Sequence, residues 1–287
     1  MLKFGLIGYP LGHSVSKEIH EAGFKSLGID ATYELIETVD ENFIDTVKFL
    51  KSNGFSGFNV TIPFKVKIAM FTDTFDKNAD MAGAVNTVKI SSDGSFSGYN
   101  TDITGFLSAI PNVSILDSAN VAIIGTGGAA RACAVGCLSK GVKKIDFYTR
   151  NIPNALEFVN YFRKLSPQTD FTLNQIETLS DLSNIDMLIN ATPVGMKGHS
   201  ADRMPISESV LKTMKNGGYV YDLVYNPIET KLIKSAQKLG LNTVSGLDML
   251  VSQAVEAQKI WFNLTPDFDK MHRAAEKSLV NYEIDYM

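Results

Sequence analysis

The sequence predicts an α/β protein of two domains, the second built on a doubly wound parallel sheet. Its 287 residues exceed one ordinary compact domain and suit two. From residue 120 onward, short and almost wholly apolar strand segments alternate with helical ones, as in a parallel sheet covered on both faces. A glycine-rich turn joins the first of these strands to a helix.

Residues 1 to 104 begin with the strand "KFGLIG" and the helix "SKEIHEAGFKSLG", whose apolar positions are Ile19, Ala22, Phe24 and Leu27 and whose end is marked by Gly28. A strand "TYELIET", a helix "NFIDTVKFLKSNG" and a strand "GFNVTI" follow. "AVNTVKI" and "FSGYNTD" read as a hairpin closed around "SSDGS", where Asp-Gly signals a turn. Residues 105 to 246 hold the strands "NVAIIG", "KKIDFYTR", "DMLINATP", "GYVYDLVY" and finally "NTVSG", separated by helical segments. Residues 247 to 287 are helical and amphipathic and are expected to pack back on residues 1 to 104, so the N-terminal domain is split. A cleft between two such domains is the expected place for a small molecule.

A formal net charge of −4 with no Lys/Arg block argues against nucleic acid as a partner. No apolar run approaches the roughly 20 residues of a membrane span. Cys133 and Cys137, four apart in a helical pattern, suit two core thiols better than a disulfide. With no secretory signal or cysteine framework, a cytoplasmic protein is expected. His13, His20, His199 and His272 make no metal-ligand spacing, so no metal is expected.

Gly125-Thr126-Gly127-Gly128-Ala129-Ala130 fits the dinucleotide fingerprint G-x-G-x-x-G/A. The first glycine allows a tight turn, the second a close approach to pyrophosphate, and the helix N-terminus offers N–H groups to the phosphates. NAD-specific sites place an acid about 20 residues on. Here that strand ends at Thr149-Arg150-Asn151, with Asp146 earlier inside it. A guanidinium at the tip favours a 2′-phosphate, hence NADP over NAD, against the alternative that Arg150 is a solvated strand end.

The first domain carries polar residues where a core wants apolar ones: Ser14, Ser16, Asn59, Thr61, Lys65, Asn86, Asn100, Thr101 and Asp102. Burying each unpaired would cost roughly 1–3 kcal/mol, more for a charge, so they must satisfy one another or bind something. Each has an ordinary alternative. Ser14 and Ser16 suit a helix cap, Asn100 and Thr101 a turn, Lys65 a surface lysine, and Asp102 a cap for "ITGFLSAI".

Together, "GYPLGHSVSKEIHE", "GFNVTIPFK", "GAVNT", "GYNTD", "GTGGAAR", "NATPVGM", "YDLVYNP" and "GLDMLVSQAVEA", in this order, resemble the shikimate dehydrogenase family over nearly the whole chain. The resemblance implies a split substrate domain around a Rossmann-like cofactor domain. It also implies reduction of 3-dehydroshikimate to shikimate with NADPH, in the chorismate pathway of aromatic amino-acid biosynthesis. It implies Lys65 and Asp102 as the catalytic pair, and Ser14 and Ser16 as hydrogen-bonding the substrate carboxylate. Asn59, Thr61, Asn86 and Gln253 would line the substrate pocket, with Tyr225 near the carboxylate. Gly125, Gly127, Gly128 and Ala129 would hold the pyrophosphate, Arg150 beside Thr149 the 2′-phosphate, and Thr192, Gly246 and Met249 would approach the nicotinamide half.

Two departures bear on this. Lys17 stands where the family often has Pro, and no second Arg follows Arg150 before Arg163, which weakens the expected discrimination against NAD. Two other readings therefore stay open: a quinate/shikimate dehydrogenase using NAD, and a non-catalytic metabolite sensor on the same scaffold. The oligomeric state is not set by the sequence, and a homodimer is left open.

Overall fold

A computed structural model describes residues 1–198 and 200–284, the side chains of 281–284 excepted, so His199 lies outside the described residues. The chain separates into two compact units, Met1–Gly105 with the chain from Val251 onward, and Phe106–Leu250. The sequence places the divisions at 104/105 and 246/247. The observed ones fall inside helices that run through both limits, α4 (Thr101–Ser108) and α9 (Gly246–Phe262).

The first unit holds β1 (Leu2–Gly8), α1 (Ser16–Leu27), β2 (Ala31–Glu37), α2 (Phe43–Ser52), β3 (Phe55–Val60), β4 (Thr74–Phe75), α3 (Lys77–Ala82), β5 (Thr87–Ile90) and β6 (Phe96–Tyr99), and is completed by α10 (Phe268–Ile284). Its strands form a mixed sheet in the order β2-β1-β3-β5-β6-β4 among the described residues. β1 pairs parallel with β2 and β3, whereas β5 is antiparallel to β3 and β6, the hairpin expected from Asp-Gly. Both faces are covered. One packs Ile7, Phe43, Leu50, Phe58, Val88 and Phe96. The other packs Phe4, Phe24, Tyr33, Ala257 and Trp261. The Trp261 ring stacks on Phe4 with centroids 4.4 Å apart and donates its indole N–H to the Val88 carbonyl at 3.1 Å. α10 packs on α1.

β3 begins and ends two residues earlier than read, leaving Thr61 and Ile62 in the loop before Pro63. Proline removes a ladder donor, and with it the strand stops. The helix expected over residues 42–54 starts as a 3₁₀ turn, Asp40–Asn42, ahead of α2.

The second unit holds β7 (Asn120–Ile124), α5 (Gly128–Ser139), β8 (Lys144–Thr149), α6 (Ile152–Leu165), β9 (Asp170–Gln175), β10 (Met187–Asn190), α7 (Glu208–Leu211), β11 (Tyr219–Asp222), α8 (Lys231–Lys238) and β12 (Asn242–Ser245). Every pairing is parallel, in the order β12-β11-β10-β7-β8-β9. Counted within the unit this is 6-5-4-1-2-3, the doubly wound order whose direction reverses between β7 and β10. β9 was not foreseen. It is an edge strand, and "DFTLNQ" offers only Phe171 and Leu173 as apolar residues. Cys133 and Cys137 are free and buried on α5, and burial pushes the Cys137 thiol up. Among the described residues no helix is long and apolar enough to cross a membrane.

Candidate active site

Lys65 follows β3 in a loop held at three points. Phe64 and Ile68 are buried anchors, and the Lys65 carbonyl accepts the Val85 N–H at 2.8 Å. The lysine is thus fixed in place, as a solvated surface lysine is not. Asp102 is the second residue of α4, so it does not cap that helix. Its carboxylate instead accepts the Lys65 ammonium on Oδ2 at 2.5 Å and the Asn86 amide on Oδ1 at 2.8 Å. The two charged side chains are 19% and 10% exposed, enough for a ligand to reach them while little water does.

Behind this pair Asn59, Asn86, Thr87 and Thr101 satisfy one another, whereas the buried Asn100 amide oxygen has no partner among the described residues. Asn86 accepts the Thr101 N–H at 2.8 Å and donates to its hydroxyl at 3.0 Å. The Thr101 hydroxyl lies 3.3 Å from the Gln253 amide oxygen, which brings α9 into the cluster. Asn59 is fully committed. Its Oδ1 accepts the Tyr33 hydroxyl at 2.7 Å, and its amide donates to the Thr87 hydroxyl at 2.9 Å and the Asn86 carbonyl at 3.3 Å. Asn59 is therefore turned inward and supports Asn86 from behind. Asn100 and Thr101 are buried, so turn chemistry does not explain them. Asn100 donates to the Ala84 carbonyl at 2.9 Å, and Thr101 opens α4.

The Tyr33 hydroxyl fixes which way the Asn59 amide points, since it gives Oδ1 its donor. Tyr33→Phe should cost about 1–3 kcal/mol, the usual penalty for a buried acceptor left without a donor. Urea unfolding of the two proteins measures it, and equal midpoints would show that the bond contributes nothing.

Ser14 and Ser16 stand half-buried at the start of α1. The Ser14 hydroxyl accepts the Ser16 N–H at 3.3 Å and lies 3.1 Å from the Ser16 hydroxyl. The N-cap itself is Val15, whose side chain has no oxygen to offer, so beyond the Ser16 N–H the first-turn N–H groups keep their capacity for an anion. The Thr61 methyl sits against Gly8, where a Cβ would approach it to 2.3 Å.

In the second unit, Gly125 has φ 108°, a conformation glycine adopts freely, and a Cβ there would lie 3.1 Å from the Thr192 methyl and 3.2 Å from the Ala191 carbonyl. At Gly127 a Cβ would meet nothing within 4 Å. The backbone there is open to a ligand, just before the free N–H groups of Gly128 and Ala129 at the start of α5. Thr149 ends β8 and accepts the Asn151 N–H at 3.2 Å, while Asn151 caps α6 through Asn154. Arg150 between them is exposed. Arg163 is engaged with Asn160 and the Phe171 carbonyl. An open glycine turn, a positive helix end and an exposed guanidinium that forms no ion pair among the described residues fit a dinucleotide carrying a 2′-phosphate.

Gly246 has a packing reason of its own, since a Cβ would stand 2.3 Å from the Leu223 carbonyl. Met249 is buried and Tyr225 half-buried in the loop after β11. Sequence reasoning missed Tyr33, Thr87, Asn190 and Asp222. The signal for Asp222 was there, a lone carboxylate inside the apolar run "YVYDLV".

The family described as "Shikimate dehydrogenase substrate binding domain" matches residues 6–88, and "Shikimate 5'-dehydrogenase C-terminal domain" matches residues 246–276. A "Shikimate dehydrogenase (NADP(+))" of Methanothermobacter thermautotrophicus is 38% identical over 276 residues, 96% of each chain. A crystal structure of shikimate dehydrogenase in complex with NADP+ has a TM-score of 0.87 at 35% identity, covering 97% of this chain and 96% of that one. Shikimate 5-dehydrogenase from Thermus thermophilus, in complex with NADP(H) and shikimate, has a TM-score of 0.84 at 30% identity, covering 97% and 100%.

Proposed function

This chain belongs to the shikimate dehydrogenase family, and from that premise we propose that it interconverts 3-dehydroshikimate and shikimate with NADP(H), using Lys65 and Asp102 as its catalytic pair. The observation that carries the reading is the 2.5 Å contact between the Lys65 ammonium and Asp102, with Asn86 on the other carboxylate oxygen. When bound, the dinucleotide supplies or takes up the hydride. The chain's residues do the rest. Lys65 gives a proton to the carbonyl oxygen in reduction and takes it from the hydroxyl in oxidation. Its charge stabilises the negative charge developing on that oxygen. Asp102 holds the ammonium in place, Asn86 holds Asp102, and Thr101 holds Asn86. Ser14, Ser16 and the N-terminus of α1 take the substrate carboxylate, with Thr61, Gln253 and Tyr225 as further ligands. Asn59 acts through Asn86.

Gly125, Gly127, Gly128 and Ala129 cradle the pyrophosphate in this proposal, Arg150 beside Thr149 takes the 2′-phosphate, and Thr192, Gly246 and Met249 lie toward the nicotinamide. Every residue named comes from one chain, so the proposal does not require a homodimer. A cytoplasmic location is part of it, supported by the free thiols of Cys133 and Cys137.

The test is a matrix of kcat/KM for shikimate and quinate with NADP+ and NAD+. Shikimate with NADP+ should give the highest value. No reduction of either cofactor would overturn the proposal and favour a sensor. Arg150→Ala should raise KM for NADP+ by roughly 10- to 100-fold, the worth of one charge-assisted pair, and leave KM for NAD+ unchanged. An equal rise for both cofactors would mean that Arg150 does not read the 2′-phosphate.

A further inference from the structure

We infer that Asp222, at the end of β11, is a positioning residue for dinucleotide binding: its buried carboxylate holds the loops that follow β10 and β11 in the shape that completes the glycine turn. The inference rests on the NADP reading above and adds a residue to it.

Asp222 is 0% exposed, and its carboxylate is held by neutral donors. Burial pushes its carboxyl up to about 6 against three hydrogen bonds that pull it down. A carboxylate kept in such a place at a cost to stability invites a functional reason. Its hydrogen bonds supply one. Oδ2 accepts the Thr230 hydroxyl at 2.6 Å, and Thr230 also caps α8 by accepting the Ile233 N–H. Oδ1 accepts the Val224 N–H at 3.1 Å and the Asn190 amide at 2.9 Å.

The Asn190 amide donates to Asp222 and, at 3.1 Å, to the Val194 carbonyl, and the buried bond to Asp222 is the shorter of the two that set the geometry beyond it. As an ionised carboxylate Asp222 only accepts, so the Asn190 nitrogen faces it and the Asn190 oxygen faces the other way. That oxygen accepts the N–H and hydroxyl of Thr192, at 3.1 and 2.7 Å. The Thr192 methyl then sits against Gly125, the first glycine of the turn. Asp222, Asn190, Thr192 and Gly125 thus form a line across the C-terminal ends of β11, β10 and β7, where the sheet order reverses and ligands bind in such folds.

Isothermal titration with NADP+ alone, beside thermal unfolding, tests this. Asp222→Ala strands three donors and should weaken NADP+ binding at least about tenfold. Asp222→Asn keeps an oxygen for Asn190 and Val224 and should bind within about threefold of the parent. A merely structural role would move the melting temperature without separating these two affinities. If Asp222→Ala does not fold, Thr192→Val cuts the line at its other end and should weaken binding about fivefold. A folded Asp222→Ala protein, or failing that Thr192→Val, that binds NADP+ as the parent does overturns the inference. A parent protein that binds no NADP+ overturns the cofactor reading instead.

Discussion

Replacing Lys65 with alanine is expected to lower kcat by about 10² to 10⁴, the range for loss of a positioned proton donor and acceptor. In the proposed mechanism the same change removes a charge from beside the reacting oxygen, so kcat and kcat/KM should fall together, the pattern of an interaction made in the transition state. Asp102→Asn separates the two parts. It keeps an oxygen for Asn86 but removes the charge that holds the ammonium, so its loss should be smaller, and adding Lys65→Ala to it should cost less than the two singles together. Steady-state kinetics of the three variants decides the matter. A Lys65→Ala enzyme with parental kcat and only a raised KM for shikimate would reduce Lys65 to a binding residue.

The second large effect is on stability and has a definite sign. His20 is buried on α1, its ring stacked on Tyr33 at 4.3 Å and its Nδ1 3.3 Å from the Gln258 amide. Phe24 and Trp261 complete the surroundings, and burial pulls the imidazole down to about 3. Above pH 6.5 the ring is neutral folded and unfolded, and contributes no pH dependence. Between pH 6.5 and about 3 the unfolded chain binds a proton that the native state refuses, so stability falls as pH falls. The whole span corresponds to on the order of 5 kcal/mol, and acidification from about pH 6.5 to about 4.5 corresponds to about 3 kcal/mol.

Asp222 acts oppositely in the second unit. With its folded value raised to about 6, the native state takes up its proton first, and that contribution grows as pH falls toward about 4. Hydrogen exchange at about pH 6.5 and about pH 4.5 should therefore show amides of the first unit losing protection relative to those of the second. His20→Phe keeps the backbone carbonyl that accepts Gln258 and should abolish most of the first unit's loss. An unchanged acid response in that variant would assign the loss to other groups.

The second unit was largely legible because a parallel sheet covered on both faces demands apolar strands. "NVAIIG", "DMLINATP" and "GYVYDLVY" announce themselves by that demand, and glycine marks the turn. β9 escaped because an edge strand is under weaker pressure to be apolar. The Lys65–Asp102 pair was visible as charges in odd places. What no pattern could give was which polar neighbours were ligands and which were braces. Asn59 and Asn86 look alike in sequence, and only the partners of their amides separate a side chain locked to Tyr33 and Thr87 from one aimed at Asp102. Asp222 hid for a similar reason, since its meaning lies in a bond to a residue 32 positions away.

One face of the first unit's sheet is roofed by Trp261 and Ala257 of α9, far along the sequence from the strands they cover, and α10 packs on α1. During synthesis, residues 1–105 emerge with one hydrophobic face bare, while the contiguous second unit meets all its own partners as it appears. The nascent chain therefore carries Phe4 and Phe24 without their partners on α9 until residues 257–261 have been made. Release of the polypeptide before that point would expose the surface to chaperones and proteases, which would tie the abundance of the enzyme to synthesis of α9.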